Sequence, residues 1–148
     1  MPNSPVHFEI PADDVARAKK FYEKALGWQI ADPFQMNYFF VTTKEKGEEG
    51  INGGLMQRMN PGQPFMVYIA VASIDAALKK VEKAGGKIAL PKMEIGNNMG
   101  FIGAFQDTEG NLMGFHQMPP PPKAAKPAKK AIKKAVKKAV KKAAAKRR

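Results

Sequence analysis

The sequence predicts an α+β domain built from two copies of a strand, helix, three-strand module that join their sheets and curl around a shared cavity, with a basic tail appended. Three observations predict it. The run VHFEIPADDVARAKKFYEKALGW, from Val6 to Trp28, is matched by VYIAVASIDAALKKVEKAGGKIAL, which begins at Val67. Tyr68 falls on His7, Ala70 on Glu9 and Asp75 on Asp14, and a two-residue deletion then brings Glu82-Lys83-Ala84 onto Glu23-Lys24-Ala25. The module ends match too: Gly50-Ile51-Asn52-Gly53-Gly54-Leu55-Met56-Gln57 lies 60 residues before Gly110-Asn111-Leu112-Met113-Gly114-Phe115-His116-Gln117. A repeat of this length outweighs any single propensity. The third observation is charge: residues 119–148 hold 13 Lys and Arg with no acid, whereas residues 1–118 hold 12 Lys and Arg against 13 Asp and Glu. The net charge of +12 therefore belongs to a tail, not to the body.

In chain order, the first strand alternates, with Val6, Phe8 and Ile10 on one side and His7 and Glu9 on the other. The apolar set is expected to meet the helix that follows. That helix runs from about Asp14 to Leu26, capped by Asp13 and stopped by Gly27. Its apolar stripe is Val15, Ala18, Phe21, Tyr22, Ala25 and Leu26. Strand-like runs follow at Trp28 to Ala31, Met36 to Thr43 and about Ile51 to Gln57, separated by Asp32-Pro33 and the charged KEKGEEG turn. Asn60-Pro61-Gly62-Gln63-Pro64 connects the modules. In the second helix Ile74, Ala77, Leu78, Val81 and Ala84 form the stripe, and Gly85-Gly86 ends it. Asp107-Thr108-Glu109-Gly110-Asn111 reads as a hairpin turn in which Gly and Asn supply left-handed backbone.

The domain is expected over residues 1–118, with modules at about 5–58 and 65–118, a proline spacer at 119–122 and a Lys/Ala-rich basic tail at 123–148. Cysteine is absent, which excludes a disulfide framework, a thiolate metal site and a Cys nucleophile, and suits a reducing compartment. There is no signal-like opening, no long apolar span, no Ser nucleophile elbow, no phosphate loop and no dinucleotide fingerprint. The chain is expected to be soluble and cytoplasmic, with nucleoid association through the tail.

His7 and Glu9 point together across the sheet, and a His beside a carboxylate suits metal ligation, proton transfer or a purely structural hydrogen-bonded pair. Parity places Asn52, Met56, Ala70, Leu112 and His116 on the same cavity lining as His7, Glu9 and Tyr68. An apolar lining with a few converging polar groups is what small-molecule pockets look like.

The repeat, the HFEIPADD start, FYEKALGW and the closing DTEGNLMGFHQ resemble the vicinal oxygen chelate superfamily of glyoxalases, ring-cleaving dioxygenases and bleomycin-binding proteins. The resemblance spans about Pro5 to Met118 and is nearest to small members related to lactoylglutathione lyase. It implies paired βαβββ modules whose eight-stranded sheet makes a half-open barrel around a substrate cavity. In metal-dependent members it also implies four ligands from the first and last strands of the modules. Those positions here are His7, Gly54, Tyr68 and Gly114, and His7 alone matches. Glycine has no ligating side chain, so the expectation is of no cofactor and no divalent metal. A shifted site from His7, Glu9 and His116 is the alternative.

The tail resembles the Lys/Ala/Pro-rich tails of histone-like proteins. Self-repulsion favours disorder in isolation. The four-residue beat of Ala131-Ile132, Ala135-Val136 and Ala139-Val140 favours a helix once phosphates neutralise the lysines. The residues expected on nucleic acid are Lys129, Lys130, Lys133, Lys134, Lys137, Lys138, Lys141, Lys142, Arg147 and Arg148, contacting backbone without sequence preference. An anionic membrane surface and a merely solubilising tail are the alternatives, and a second copy of the chain is a further candidate partner.

Three functions follow for the whole. One is a metal-independent, lyase-like enzyme in which His7 acts as general base, Glu9 orients it and Tyr68 donates to an oxyanion. The second is a ligand-sequestering module, and the third is an architectural nucleic-acid-binding protein.

Overall fold

The computed structural model describes residues 3–121 and 129–145. Strand β1 (Pro5–Ala12), helix α1 (Val15–Leu26) and strands β2 (Gln29–Ala31), β3 (Tyr38–Thr42) and β4 (Asn52–Gln57) form the first module. Strand β5 (Met66–Ala70), helix α2 (Ile74–Lys83) and strands β6 (Lys87–Glu94), β7 (Phe101–Gln106) and β8 (Leu112–Gln117) form the second. The eight strands make one sheet in the order β2-β3-β4-β1-β5-β8-β7-β6. The order is the same read outward from the centre in either direction, which is the sequence repeat expressed as topology. At the seam β1 and β5 run antiparallel with His7 opposite Tyr68, while each pairs in parallel with the last strand of its own module.

Each module buries its own core between helix and sheet. Phe8, Ala12, Ile30, Val41 and Leu55 lie under α1, and Ile74, Leu78 and Phe115 under α2. The side of β1 that carries Phe8 and Ile10 faces the helices as its alternation requires, and His7 and Glu9 occupy the opposite, inner face. Val6 is an exception: it precedes the first residue paired to β4 and is exposed.

The helices cover the sheet unequally. In α2, Ile74 and Leu78 are buried and Ala77 and Val81 half-buried, while Ala84 has become the exposed C-cap. In α1 only Val15, Ala18 and Tyr22 of the expected stripe pack on the core. Phe21, Ala25 and Leu26 are exposed, because the sheet on that flank ends in the three-residue edge strand β2. The cap of α1 also shifts by one residue. Asp14, not Asp13, accepts from Arg17 N at 2.9 Å, and Asp13 instead takes Arg58 Nε at 2.8 Å. Gly27 closes the helix in left-handed conformation at φ 71°, where a side chain would be strained.

Two loops bring the far ends of the sheet together. Asp32 accepts from the backbone N–H groups of Met36 and Asn37, ordering the β2–β3 loop. Asn97 of the β6–β7 loop places Nδ2 3.1 Å from Met36 Sδ. The sheet stays open, since β2 and β6 do not pair, and the Asn97–Met36 contact joins the loops at its two flanks. In the turn before β8, Gly110 supplies the left-handed residue at φ 88°, whereas Asn111 acts as a donor to Asp107.

Helix α3 (Lys129–Ala145) lies in the tail, in keeping with the propensities of Ala and Lys. Lys137, Lys138, Lys141 and Lys142 on it are exposed. Arg147 and Arg148 lie outside the described residues. No helix among the described residues is long and apolar enough to cross a membrane.

Candidate functional site

The inner face carries a chain of hydrogen bonds across the seam between the modules. Tyr38 Oη donates to Glu9 Oε1 at 3.0 Å, and Tyr68 Oη donates to Glu9 Oε2 at 2.7 Å. His7 Nε2 lies 2.6 Å from Tyr38 Oη. Glu9 thus receives one phenol from its own module and one from the other. With both carboxylate oxygens acting as acceptors, the Tyr38 proton is spent on Glu9. Its oxygen must then accept from His7, which assigns the proton of His7 to Nε2 and leaves Nδ1 as an acceptor that engages no hydrogen bond among the described residues.

Two glycines make this arrangement fit. A Cβ on Gly54 would fall inside the phenol of Tyr38, and one on Gly114 would fall inside the ring of Tyr68. Strand pairing explains why: Tyr38 and Met56 are opposite one another on β3 and β4, so the Tyr38 ring leans over Gly54, and Tyr68 is directly opposite Gly114 on β5 and β8. The absent side chains are therefore the space that the two rings occupy.

Burial is the main cause of the electrostatics here. It pushes both phenols far above the usual tyrosine range, with the Glu9 carboxylate adding to the shift, so both hydroxyls remain protonated donors. Burial, with a smaller electrostatic contribution from His116, lowers His7 to about 4, so its imidazole is neutral at neutral pH.

Of the residues singled out in the sequence, His7, Glu9 and Tyr68 come together, through Tyr38. Ala70 and His116 are paired neighbours on β5 and β8, and His116 Nε2 donates to Met99 O at 2.9 Å. Met56 and Leu112 are half-buried, with Met56 Sδ 3.8 Å from Gln63 Nε2. Asn52 is exposed and caps the end of β3 by accepting from Thr43 N at 3.0 Å. Tyr38 was missed. The one signal for it was a glycine on the facing strand, and reading that signal requires the β3–β4 register.

The residues present do not fit a divalent metal. Tyr38 and Tyr68 fill the places over Gly54 and Gly114, so neither position can offer a ligating side chain. The shifted set is not assembled either: among the described residues no group of three or more His, Cys, Asp or Glu is placed to hold a metal.

An aromatic series connects this centre to the rim. Phe34, which is 54% exposed, meets Phe40 edge-on at 5.8 Å, and Phe40 meets Tyr38 at 5.5 Å between centroids. Met36, Met93 and Ile95 add exposed apolar surface on the two loops and on β6.

Residues 5–44 match the family described as bleomycin resistance protein-like N-terminal. The chain is 33% identical over 110 residues to a glyoxylase-like domain-containing protein of Didymella fabae, covering 70% of this chain and 84% of that one. It is 27% identical over 124 residues to the anthracycline biosynthesis protein DnrV of Streptomyces peucetius, covering 74% of this chain but only 45% of DnrV. The chain thus spans less than half of that relative's length. Among solved structures, a glyoxalase/bleomycin resistance protein/dioxygenase superfamily member from Vibrio splendidus 12B01 has the same fold. Its TM-score is 0.56 at 17% identity, over 78% of this chain and 97% of that one.

Proposed function

The chain belongs to the glyoxalase/bleomycin resistance/dioxygenase superfamily, and from that premise we propose that it binds a small amphipathic molecule on the inner face of its sheet without using a metal. The observation that carries this reading is the hydrogen-bonded group of His7, Tyr38, Glu9 and Tyr68, set at the end of an aromatic series that reaches solvent at Phe34. Polar groups converging in an apolar, partly open surface supply orientation and affinity together. The basic tail then holds the domain near nucleic acid, a role supported by its concentration of Lys and Arg without any acid. Native mass spectrometry of gently purified protein tests the ligand reading: a copurifying small molecule is expected, lost on Phe34→Ala. Protein that carries no small molecule and shows no thermal shift with any member of an aromatic compound panel would remove it.

One observation favours a second reading, a metal-independent enzyme related to lactoylglutathione lyase. The neutral imidazole of His7 has an acceptor at Nδ1 at neutral pH. In that reading Nδ1 takes a proton from a bound carbonyl compound while Glu9, acting through Tyr38, holds the ring's orientation. Turnover of α-oxoaldehyde conjugates that disappears in His7→Gln separates catalysis from binding alone.

A further inference from the structure

Beside the four ligand positions, this chain places a carboxylate. Glu9 lies beside His7 at the seam, its two oxygens capped by phenols standing over the two glycines. Beyond His7 and His116, little on the strands of the inner face offsets its charge. By strand pairing, the inward positions of all eight strands carry no other carboxylate, and no Lys or Arg except Lys87 at the outer end of β6. Lys92, the other lysine of that strand, packs over the Phe101 ring at 4.3 Å and pairs with Asp75 on the helix side. The route inward is aromatic as well, through Phe34, Phe40 and Tyr38, and aromatic faces attract cations.

We propose that the inner face has exchanged a cationic centre for an anionic one, so that its ligand is a flat aromatic compound bearing an ammonium or a comparable hydrogen-bond-donating group. A divalent metal draws the oxygens of carboxylates and enolates by its charge. Glu9 with its two phenols reverses that preference: it repels anionic oxygen and attracts an ammonium, and the free acceptor at His7 Nδ1 adds a partner for an N–H or O–H donor. The rings of Phe34 and Phe40 supply the stacking surface for the flat part of the ligand. This inference rests on the ligand-binding reading above and specifies the class of compound that the site takes.

The test measures binding of two three-ring probes, cationic proflavine and anionic anthracenecarboxylate, to the intact, nucleic-acid-free chain at about physiological salt, where distant charges are screened. Wild type, Glu9→Gln and Phe34→Ala are compared. The tail is common to all three proteins, so differences between them report the inner face. Proflavine affinity is expected to fall by about tenfold in Glu9→Gln, with anthracenecarboxylate affinity unchanged or raised. Phe34→Ala removes an exposed ring and is expected to weaken proflavine with no change in melting temperature, which keeps the test decisive if Glu9→Gln is poorly folded. Proflavine affinity that is unaffected by both variants, or anthracenecarboxylate affinity that falls as far as proflavine's in Glu9→Gln, overturns the inference alone. Failure of both probes to bind wild type at any concentration overturns the ligand-binding reading, and the inference with it.

Discussion

His7 couples the site to the stability of the fold. Its folded value is lowered from 6.5 to about 4, chiefly by burial and then by electrostatic interaction with His116. Between those two pH values the unfolded chain binds a proton that the folded chain refuses, so stability falls as pH is lowered through this window and is independent of His7 above it. The full shift is discounted because the ring is only part-buried, which leaves a loss on the order of 1–2 kcal/mol. Urea unfolding at neutral pH and near pH 5 should show it, and His7→Gln should remove that share of the slope; identical slopes in the two proteins would deny the coupling. The glycines make a second residue-scale prediction. Gly54→Ala forces a methyl group into the Tyr38 phenol, and an overpacked site costs about 1–3 kcal/mol. Tyr38→Leu alone loses the bond to Glu9, but combined with Gly54→Ala it should recover much of the alanine's cost. A double variant whose loss is simply the sum of the two single losses would mean that ring and glycine do not compete for one space.

The two helices look alike in sequence and differ in how much sheet lies beneath them. Leu78 on α2 is 4% exposed in the second core, so Leu78→Ala should cost about 2–5 kcal/mol. Leu26 on α1 is 54% exposed, and Leu26→Ala should change stability by less than about 0.5 kcal/mol. Comparable losses in thermal unfolding would mean that α1 packs more closely than its exposure indicates. The contrast marks what a sequence can convey. Helical spacing in ARAKKFYEKAL reveals which side of α1 is apolar, but not that the edge strand β2 is too short to cover Phe21 and Leu26. Strand parity put His7 and Glu9 on one face because the period of two is local and needs no partner. The repeat aligned Tyr68 with His7 and Gly54 with Gly114, and the family resemblance marked all four as ligand positions. Tyr38 was hidden because its role depends on the β3–β4 register, which the turn between Thr43 and Ile51 sets through several residues with no repeat to calibrate it. The absence of ligating side chains at Gly54 and Gly114 was legible; that two phenols stand in the vacated space was not.

At the scale of the whole molecule, charge divides the chain into parts that can be tested separately. The body holds 12 Lys and Arg against 13 acids, while the tail holds 13 Lys and Arg and no acid. Each lysine that neutralises a phosphate releases a condensed counterion, so log affinity for duplex DNA should fall linearly with log salt, by about 0.9 per contact. If roughly half the tail charges engage together, affinity should drop by about three orders of magnitude between 50 and 200 mM salt. Truncation after Met118 should abolish binding and leave the body folded, because neither core cluster includes a residue beyond Phe115. Helix α3 allows its geometry to be separated from its charge. Ala135→Pro interrupts Lys129–Ala145 without altering any charge, so weaker binding would show that the lysines act from a helix. Unchanged binding would show that charge density alone suffices. Salt-insensitive retention of the intact chain, or equal retention of the truncated one, would remove nucleic acid from its partners and return the tail to its other reading, an attachment to anionic membrane surfaces, for which vesicles with and without anionic lipid are the corresponding measurement.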